Sequence, residues 1–208
     1  FLTSWYNTTG ERLAPPKYTA PLSLPPETYL PIHITVSGPD SQWRAIRQLY
    51  FMLILSADHH LYIQSPFFIP DESIMEALKA AAMAGVDVRI MCAPRGTTYA
   101  VPYWAANTYF EEMAQAGVRI FLYQKGYFHP KTINVDSAIC SVGTANMDIR
   151  SFSINYEVNA VIYDEAIAQR LTKDFLQDQA DCIEFSLHEY ERRHLMVRLR
   201  DSVARLFS

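Results

Sequence analysis

Between Ile32 and Tyr123 short apolar runs alternate with helix-length segments, two of which stop at glycine. This alternation constrains the fold more than any other feature of the chain. Ile32-His33-Ile34-Thr35-Val36-Ser37 has the period of a strand and ends at Gly38-Pro39. Asp40 is expected to cap a helix running to about Ser56, with Trp43, Ile46, Leu49 and Leu53 on one face. His60–Gln64 is a predicted strand. Asp71–Ala84 is a predicted helix rich in Ala, Met and Leu, stopped at Gly85, and Val86–Cys92 a short buried strand. A loop over Ala93–Pro102 leads to a helix over Tyr103–Ala116, closed by Gly117, and to the strand Val118–Tyr123. Units of this length join parallel strands, so a largely parallel sheet with helices against it is expected.

The pattern then changes. Lys131–Asp136, Ala138–Val142 and Glu157–Tyr163 read as strands with no helix of ordinary length between them, which predicts a mixed sheet with an antiparallel, hairpin-like end. Helices are expected over Glu165–Asp181 and Leu187–Phe207. Arg192, Arg193, Arg198, Arg200 and Arg205 give the second a basic face, read as a solvated amphipathic surface in preference to a lipid contact. Ahead of the sheet, Pro15, Pro16, Pro21, Pro25, Pro26 and Pro31 forbid helix and central strand alike. Residues 1–31 are therefore expected to be the end of a preceding domain and a Pro-rich linker, with Phe1–Tyr6 closing a helix. Residues 32–208 form the main domain of what reads as part of a longer protein.

The chain is long enough to bury a sizeable core, and its composition is globular: half the residues are hydrophobic and 19% charged. A net charge of −4 argues against a nucleic-acid partner, which favours a basic footprint. Cys92, Cys140 and Cys182 lack metal-ligand spacing, so no zinc site is expected, and an odd count fits a reducing compartment. The longest apolar run, Leu49–Leu55, falls far short of a membrane span.

The chemistry concentrates in Phe128–Glu157. On an extended segment alternate side chains share a face, so His129 and Lys131 can address one ligand together. Asp136 lies an odd number of residues from Lys131 and is expected to buttress the site. Gly143-Thr144-Ala145-Asn146 follows. Transfer at a phosphodiester needs a nucleophile, charge neutralisation on the non-bridging oxygens, and a proton for the leaving alkoxide. Imidazole, ammonium and amide supply these without a divalent cation, so neither metal nor cofactor is expected. A buried carboxylate should orient the imidazole, and Glu157, on an apolar strand, is the candidate.

His129-x-Lys131-x4-Asp136-x6-Gly143-Thr144-x-Asn146 resembles the H-x-K-x4-D-x6-G-[S/T]-x-N signature of the phospholipase D superfamily. The resemblance extends to bacterial cardiolipin synthases through Tyr62–Asp71, Gly85–Met91, Ala116–Ile120, Gly143–Phe152, Asn155–Ala160 and Glu189–Arg193, and so covers nearly the whole chain. Pro130 and Asn134 depart from the usual wording, at positions outside the signature. The resemblance implies an α/β fold, a phospholipase-D-like mixed β-sheet flanked by helices on both faces. It implies a catalytic set of His129, Lys131, Asp136, Asn146 and Glu157, with Lys131, Thr144 and Asn146 on the phosphate and Glu157 hydrogen-bonded to the catalytic histidine. It also implies that one active site takes two such motifs, of which this chain holds one, so that the chain is similar to the C-terminal half of a cardiolipin synthase. His129 would then be general acid and base opposite the first half's nucleophile.

The implied reaction is phosphatidyl transfer between two phosphatidylglycerol molecules through a phosphohistidine, giving cardiolipin and glycerol. Expected partners are the lipid, the membrane surface of a bacterium, reached by anchoring segments outside this chain, and the N-terminal half or a second copy. Alternatives are a self-paired phosphodiesterase or nuclease, or an inactive isolated half. Other residues are read more blandly. His59-His60 suggests a solvated turn, while His33, His188, His194 and the pair Asp148 and Arg150 suggest structural roles. Pro66–Pro70 suggests either core or a pocket wall, Arg95 an exposed loop cation in preference to a phosphate contact, and Tyr103-Trp104 core and a helix start in preference to an acyl-chain contact.

Overall fold

The computed structural model describes residues 2–13, 29–93 and 100–206, which form two units, Phe1–Leu30 and Pro31–Ser208. The prolines between 14 and 28 and the loop cation Arg95 lie outside the described residues. In the first unit, helix α1 (Leu2–Thr9) buries none of its side chains, and Trp5 Nε1 donates to Glu11 at 3.4 Å.

The second unit is built on an eight-stranded sheet ordered β1-β9-β7-β6-β2-β4-β5-β10. Strands β2 (His60–Gln64), β4 (Asp87–Cys92) and β5 (Arg119–Tyr123) are parallel, as the helix-length connections require. On one side β6 (Thr132–Val135), β7 (Ile139–Gly143), β9 (Glu157–Ile162) and β1 (Ile32–Ser37) continue the sheet antiparallel, and β10 (Cys182–Glu184) closes the other edge antiparallel to β5. The mixed sheet is as expected.

Alternation along the strands sends side chains into two cores. Leu61, Ile63, Ile90 and Ile120 meet helices α2 (Ala45–Leu55), α3 (Glu72–Met83) and α4 (Ala100–Gln115) on one face. Tyr62, Met91 and Phe121 point the other way and pack with Phe175 of α6 (Glu165–Gln179). Helices on both faces thus follow from the inside-out pattern of the strands.

Several elements differ from expectation. Asp40 does not cap α2: the helix begins at Ala45 after a turn, and Trp43, expected on the core face, is 64% exposed. α4 starts before Tyr103. Two-residue strands β3 (Phe68–Ile69) and β8 (Met147–Asp148) pair in parallel, and a single-turn helix α5 (Ile149–Ser153) follows β8. The predicted C-terminal helix is two, α7 (Leu187–Glu191) and α8 (Leu195–Arg205), because His194 Nδ1 accepts from Met196 N and starts a fresh helix. The sheet also leaves an apolar strip uncovered: Ile34 and Val36 of β1, Val158 of β9 and Val142 of β7 are each at least 40% exposed, on the same side of the sheet as α6.

Candidate active site

The site lies where β6, β7 and β9 meet at one end of the sheet. Phe128 is buried in the core beneath α6, against Tyr123 (5.1 Å between ring centroids). Anchoring Phe128 leaves its neighbour His129 at the surface, its ring stacked on Tyr127 at 5.5 Å. Lys131 precedes β6 and bends back, so that Nζ lies 3.1 Å from His129 Nε2 and donates to the His129 carbonyl at 3.2 Å. An ammonium has no acceptor capacity, so the contact places a lone pair on Nε2 and the proton on Nδ1. Burial, and then the Lys131 charge, hold the imidazole below its ordinary value. Burial also lowers Lys131, opposed by the charges of Glu157 and then Asp148, which places both carboxylates within its electrostatic reach.

Glu157 opens β9 and is 7% exposed. It was expected to accept from His129, but within this chain it has other partners. Oε1 accepts from Ser151 Oγ (2.8 Å) and Asn155 Nδ2 (3.0 Å), and Oε2 from Thr144 Oγ1. The reason is local: the turn Gly143–Asn146 and helix α5 bring three short polar donors around the carboxylate. Asn146 is fixed through Ser151, whose Oγ accepts from its backbone N–H (3.0 Å), and through Asp148 Oδ2, which accepts from its Nδ2 (3.1 Å). Its Oδ1 is buried with no hydrogen-bond partner among the described residues. Asp148 pairs with Asn146 and caps α5 at Ser151 N, with no ion pair to Arg150 among the described residues.

Thr144, Asn146 and Glu157 are therefore linked through Asp148 and Ser151 into one hydrogen-bonded cluster, and the His129–Lys131 pair stands apart from it, within electrostatic reach of its two carboxylates. Asp136 is not part of it. It sits at the opposite end of β6 from Lys131, in a turn whose central residues Asp136 and Ser137 both have positive φ, 53° and 55°. Its carboxylate accepts from the backbone N–H groups of Asp58, His59 and His60 at 2.7–2.9 Å, tying this hairpin to the start of β2. That also fixes the His59-His60 turn. Burial pushes the Asp136 carboxyl up, but the three donors outweigh it and hold it below the ordinary value. A carboxyl lowered by folding stabilises above its unfolded value and loses that contribution as pH falls through its folded one. Asp136→Ala is therefore expected to lower stability by about 2 kcal/mol at pH 7. Urea unfolding should show the gap to the parent chain closing once the pH drops below about 4.

Three residues without an assigned role hold the turn. Asn159 Nδ2 donates to Tyr50 Oη (2.9 Å) and Ser141 Oγ (3.1 Å), its Oδ1 accepts from Ala145 N, and Tyr50 Oη donates to the Ala145 carbonyl. A Cβ on Gly143 would collide with the Asn159 side chain and the Val158 carbonyl, so the close approach of the turn to β9 requires glycine. The signal was available: Glu157, Asn159 and Val161 share the inward parity of β9, and a buried asparagine needs partners. Pro66 and Phe67 line a small cavity with Cys92, Ala93, Pro102 and Tyr103, at the sheet end that carries the site.

Residues 50–179 match the family described as cardiolipin synthase, PLD-like domain. Over all 208 residues the chain is 42% identical to the cardiolipin synthase of Geobacillus kaustophilus (strain HTA426), of which it covers 41%. The chain belongs to this cardiolipin synthase family. Another member, from Clostridium perfringens (strain SM101 / Type A), is 47% identical over 88% of this chain and 38% of its own length. The chain thus spans about two fifths of the length of the curated cardiolipin synthases it matches. Among solved structures, the phospholipase D family member Nuc from Salmonella typhimurium superposes with a TM-score of 0.65 and 23% identity, covering 76% of this chain and 99% of its own. The phosphatidylserine synthase of Haemophilus influenzae Rd KW20 gives 0.68 and 18%, over 85% of this chain and 46% of its own. These likenesses establish a phospholipase-D-type fold for this cardiolipin synthase relative.

Proposed function

We propose that the chain is the C-terminal half of a membrane phosphatidyltransferase and supplies one of two H-x-K motifs to a single site. The observation that carries the reading is the His129–Lys131 pair, with Nε2 3.1 Å from Nζ, and the Thr144–Asn146–Glu157 cluster whose carboxylate acts on the Lys131 charge. In this reading the partner half's histidine attacks the phosphorus of one phosphatidylglycerol. The P–O bond to glycerol breaks, and the departing alkoxide takes a proton from His129. His129 then removes a proton from a hydroxyl of a second phosphatidylglycerol, whose oxygen displaces the histidine nitrogen. Two phosphatidylglycerols become one cardiolipin and one glycerol, with no net change in protons. Lys131 and the second Nδ2 hydrogen of Asn146 face the non-bridging oxygens.

His129 must carry a proton for the first step, yet burial and Lys131 disfavour it in the free chain. A phosphodiester anion beside it opposes both effects. In this reading the partner is the N-terminal half of the same enzyme, and the uncovered apolar strip of Ile34, Val36, Val142 and Val158 beside the site is a face for it to cover. Among the described residues no helix is long and apolar enough to cross a membrane, so anchoring falls to segments outside this chain.

The test is product analysis with the longer enzyme carrying this chain. Phosphatidylglycerol is expected to give cardiolipin and glycerol in equal amounts, unaffected by EDTA. A quenched reaction should hold phosphatidyl label on protein that survives alkali and is lost in acid. Phosphatidic acid as the sole product would overturn the transferase reading in favour of hydrolysis.

A further inference from the structure

Helix α8 is mounted inside out. An amphipathic surface helix ordinarily turns its apolar stripe inward and its charges to solvent. Here the charged side docks. Asp201 is fully buried and accepts from Asn107 Nδ2 of α4 at 3.1 Å, Arg198 pairs with Glu111 of α4 at 2.9 Å, and Arg200 lies over the Trp104 ring at 4.6 Å. The opposite side carries Leu195, Met196, Leu199, Val203 and Leu206, exposed by 75, 65, 54, 45 and 81%. At about 100° per residue these five fall on one stripe roughly 100° wide. The stripe runs into an open groove of about 410 Å³ whose walls include Val101 and Trp104 of α4 with Met196, Leu199 and Val203.

Charge surrounds this apolar surface unevenly. The segment 192–206 holds five arginines and a single carboxylate, the buried Asp201, in a chain whose net charge is −4. Arg200 flanks the stripe on one side, Arg198 and Arg205 on the other, each side chain 33–39% exposed and each ion-paired within the fold, to Asp201, Glu111 and Glu112 respectively. A protein partner would have to bring an acidic rim around an apolar ridge. An anionic bilayer offers that combination everywhere, with phosphates at the level of the arginines and acyl chains below. Placement agrees: α4 begins near Pro66, Phe67 and Ala93, at the end of β2 and β4 where Lys131 enters β6.

We propose that the α4–α8 face is a docking surface for an anionic lipid bilayer, with the α8 stripe inserted at the acyl–headgroup boundary and Trp104 at its edge. This deepens the reading above, since it rests on a substrate that resides in a membrane. It assigns the approach to the lipid surface to this half as well as to any anchor elsewhere.

Vesicle flotation of the 208-residue chain tests it. The chain should float with vesicles of equal phosphatidylglycerol and phosphatidylcholine, less with phosphatidylcholine alone, and less in 0.5 M salt (about a 4 Å screening length). Leu195→Ser, Leu199→Ser and Leu206→Ser together, all at exposed positions, should reduce flotation more than tenfold with an unchanged melting temperature. Equal flotation of the triple variant, or none by the parent chain, would overturn the proposal. So would a parent chain that self-associates without vesicles and becomes monomeric in the variant, since the stripe would then be a contact between copies. His129→Ala should float like the parent, so a wrong assignment of the chemistry leaves this result untouched.

Discussion

Replacing His129 with alanine is expected to lower phosphatidyl transfer by the longer enzyme at least about a thousandfold, the range spanned by a lost general acid–base. The imidazole is at the surface, stacked on Tyr127 and touched by the Lys131 ammonium, so the fold should change by no more than about 0.5 kcal/mol. Lys131 keeps the His129 carbonyl as acceptor, because that contact is to backbone. The loss should therefore appear in kcat with lipid binding preserved. A leaving group that needs no proton separates the two roles open to this residue. If His129 is the general acid, a phosphatidyl p-nitrophenol should give the variant a burst of nitrophenol close to that of the parent enzyme. If it is the nucleophile, no such burst appears. Transfer within tenfold of the parent would remove His129 from the chemistry altogether.

Glu157→Gln has the second largest expected effect, acting on structure and charge together. The carboxylate accepts from Thr144, Ser151 and Asn155, whereas an amide offers one acceptor oxygen and turns a donor toward the others. Leaving a buried hydroxyl facing a donor costs about 2 kcal/mol, concentrated in the turn that carries Asn146. The electrostatic effect falls on Lys131. Burial lowers that ammonium, and Glu157 is the larger of the two charges holding it up, with Asp148 the smaller. Without Glu157 the lysine loses its proton at lower pH. Because the charged form neutralises phosphate, the alkaline limb of the pH–rate profile should move toward acid. Activity should then fall about a hundredfold on the alkaline side and markedly less below neutrality. An unmoved alkaline limb would show that Lys131 does not depend on this carboxylate.

The strands that form the sheet's centre were readable because burial on both faces writes itself as continuous apolar runs, as in Leu61–Ile63 of β2 and Ile120–Tyr123 of β5. Pairs such as β3 with β8 were not: two residues carry no period, and Pro66 and Pro70 mask what remains. Trp43 misled because a bulky aromatic fits a helical face by spacing, whereas the turn after Gly38 delays the helix to Ala45. At the site, spacing within the motif placed His129 beside Lys131, since two residues on an extended segment must share a side. The partner of Glu157 was beyond reach, because Ser151 and Asn155 reach it through a single-turn helix with no sequence signature. Asp136 shows the same limit from the other direction: its three backbone partners lie 76–78 residues away, and donors of that kind leave no mark in side-chain identity.

Strand β1 hydrogen-bonds only to β9 among the described strands, and about 120 residues separate Ser37 from its mate Glu157. During synthesis the edge formed by Ile32, Ile34 and Val36 leaves the ribosome long before anything can pair with it, exposed to unproductive association. The same residue that starts β9 holds the Thr144 hydroxyl and supports the charge of Lys131. Nascent chains stopped short of Glu157 therefore lack both the strand that shields this edge and the carboxylate around which Thr144, Ser151 and Asn155 are ordered.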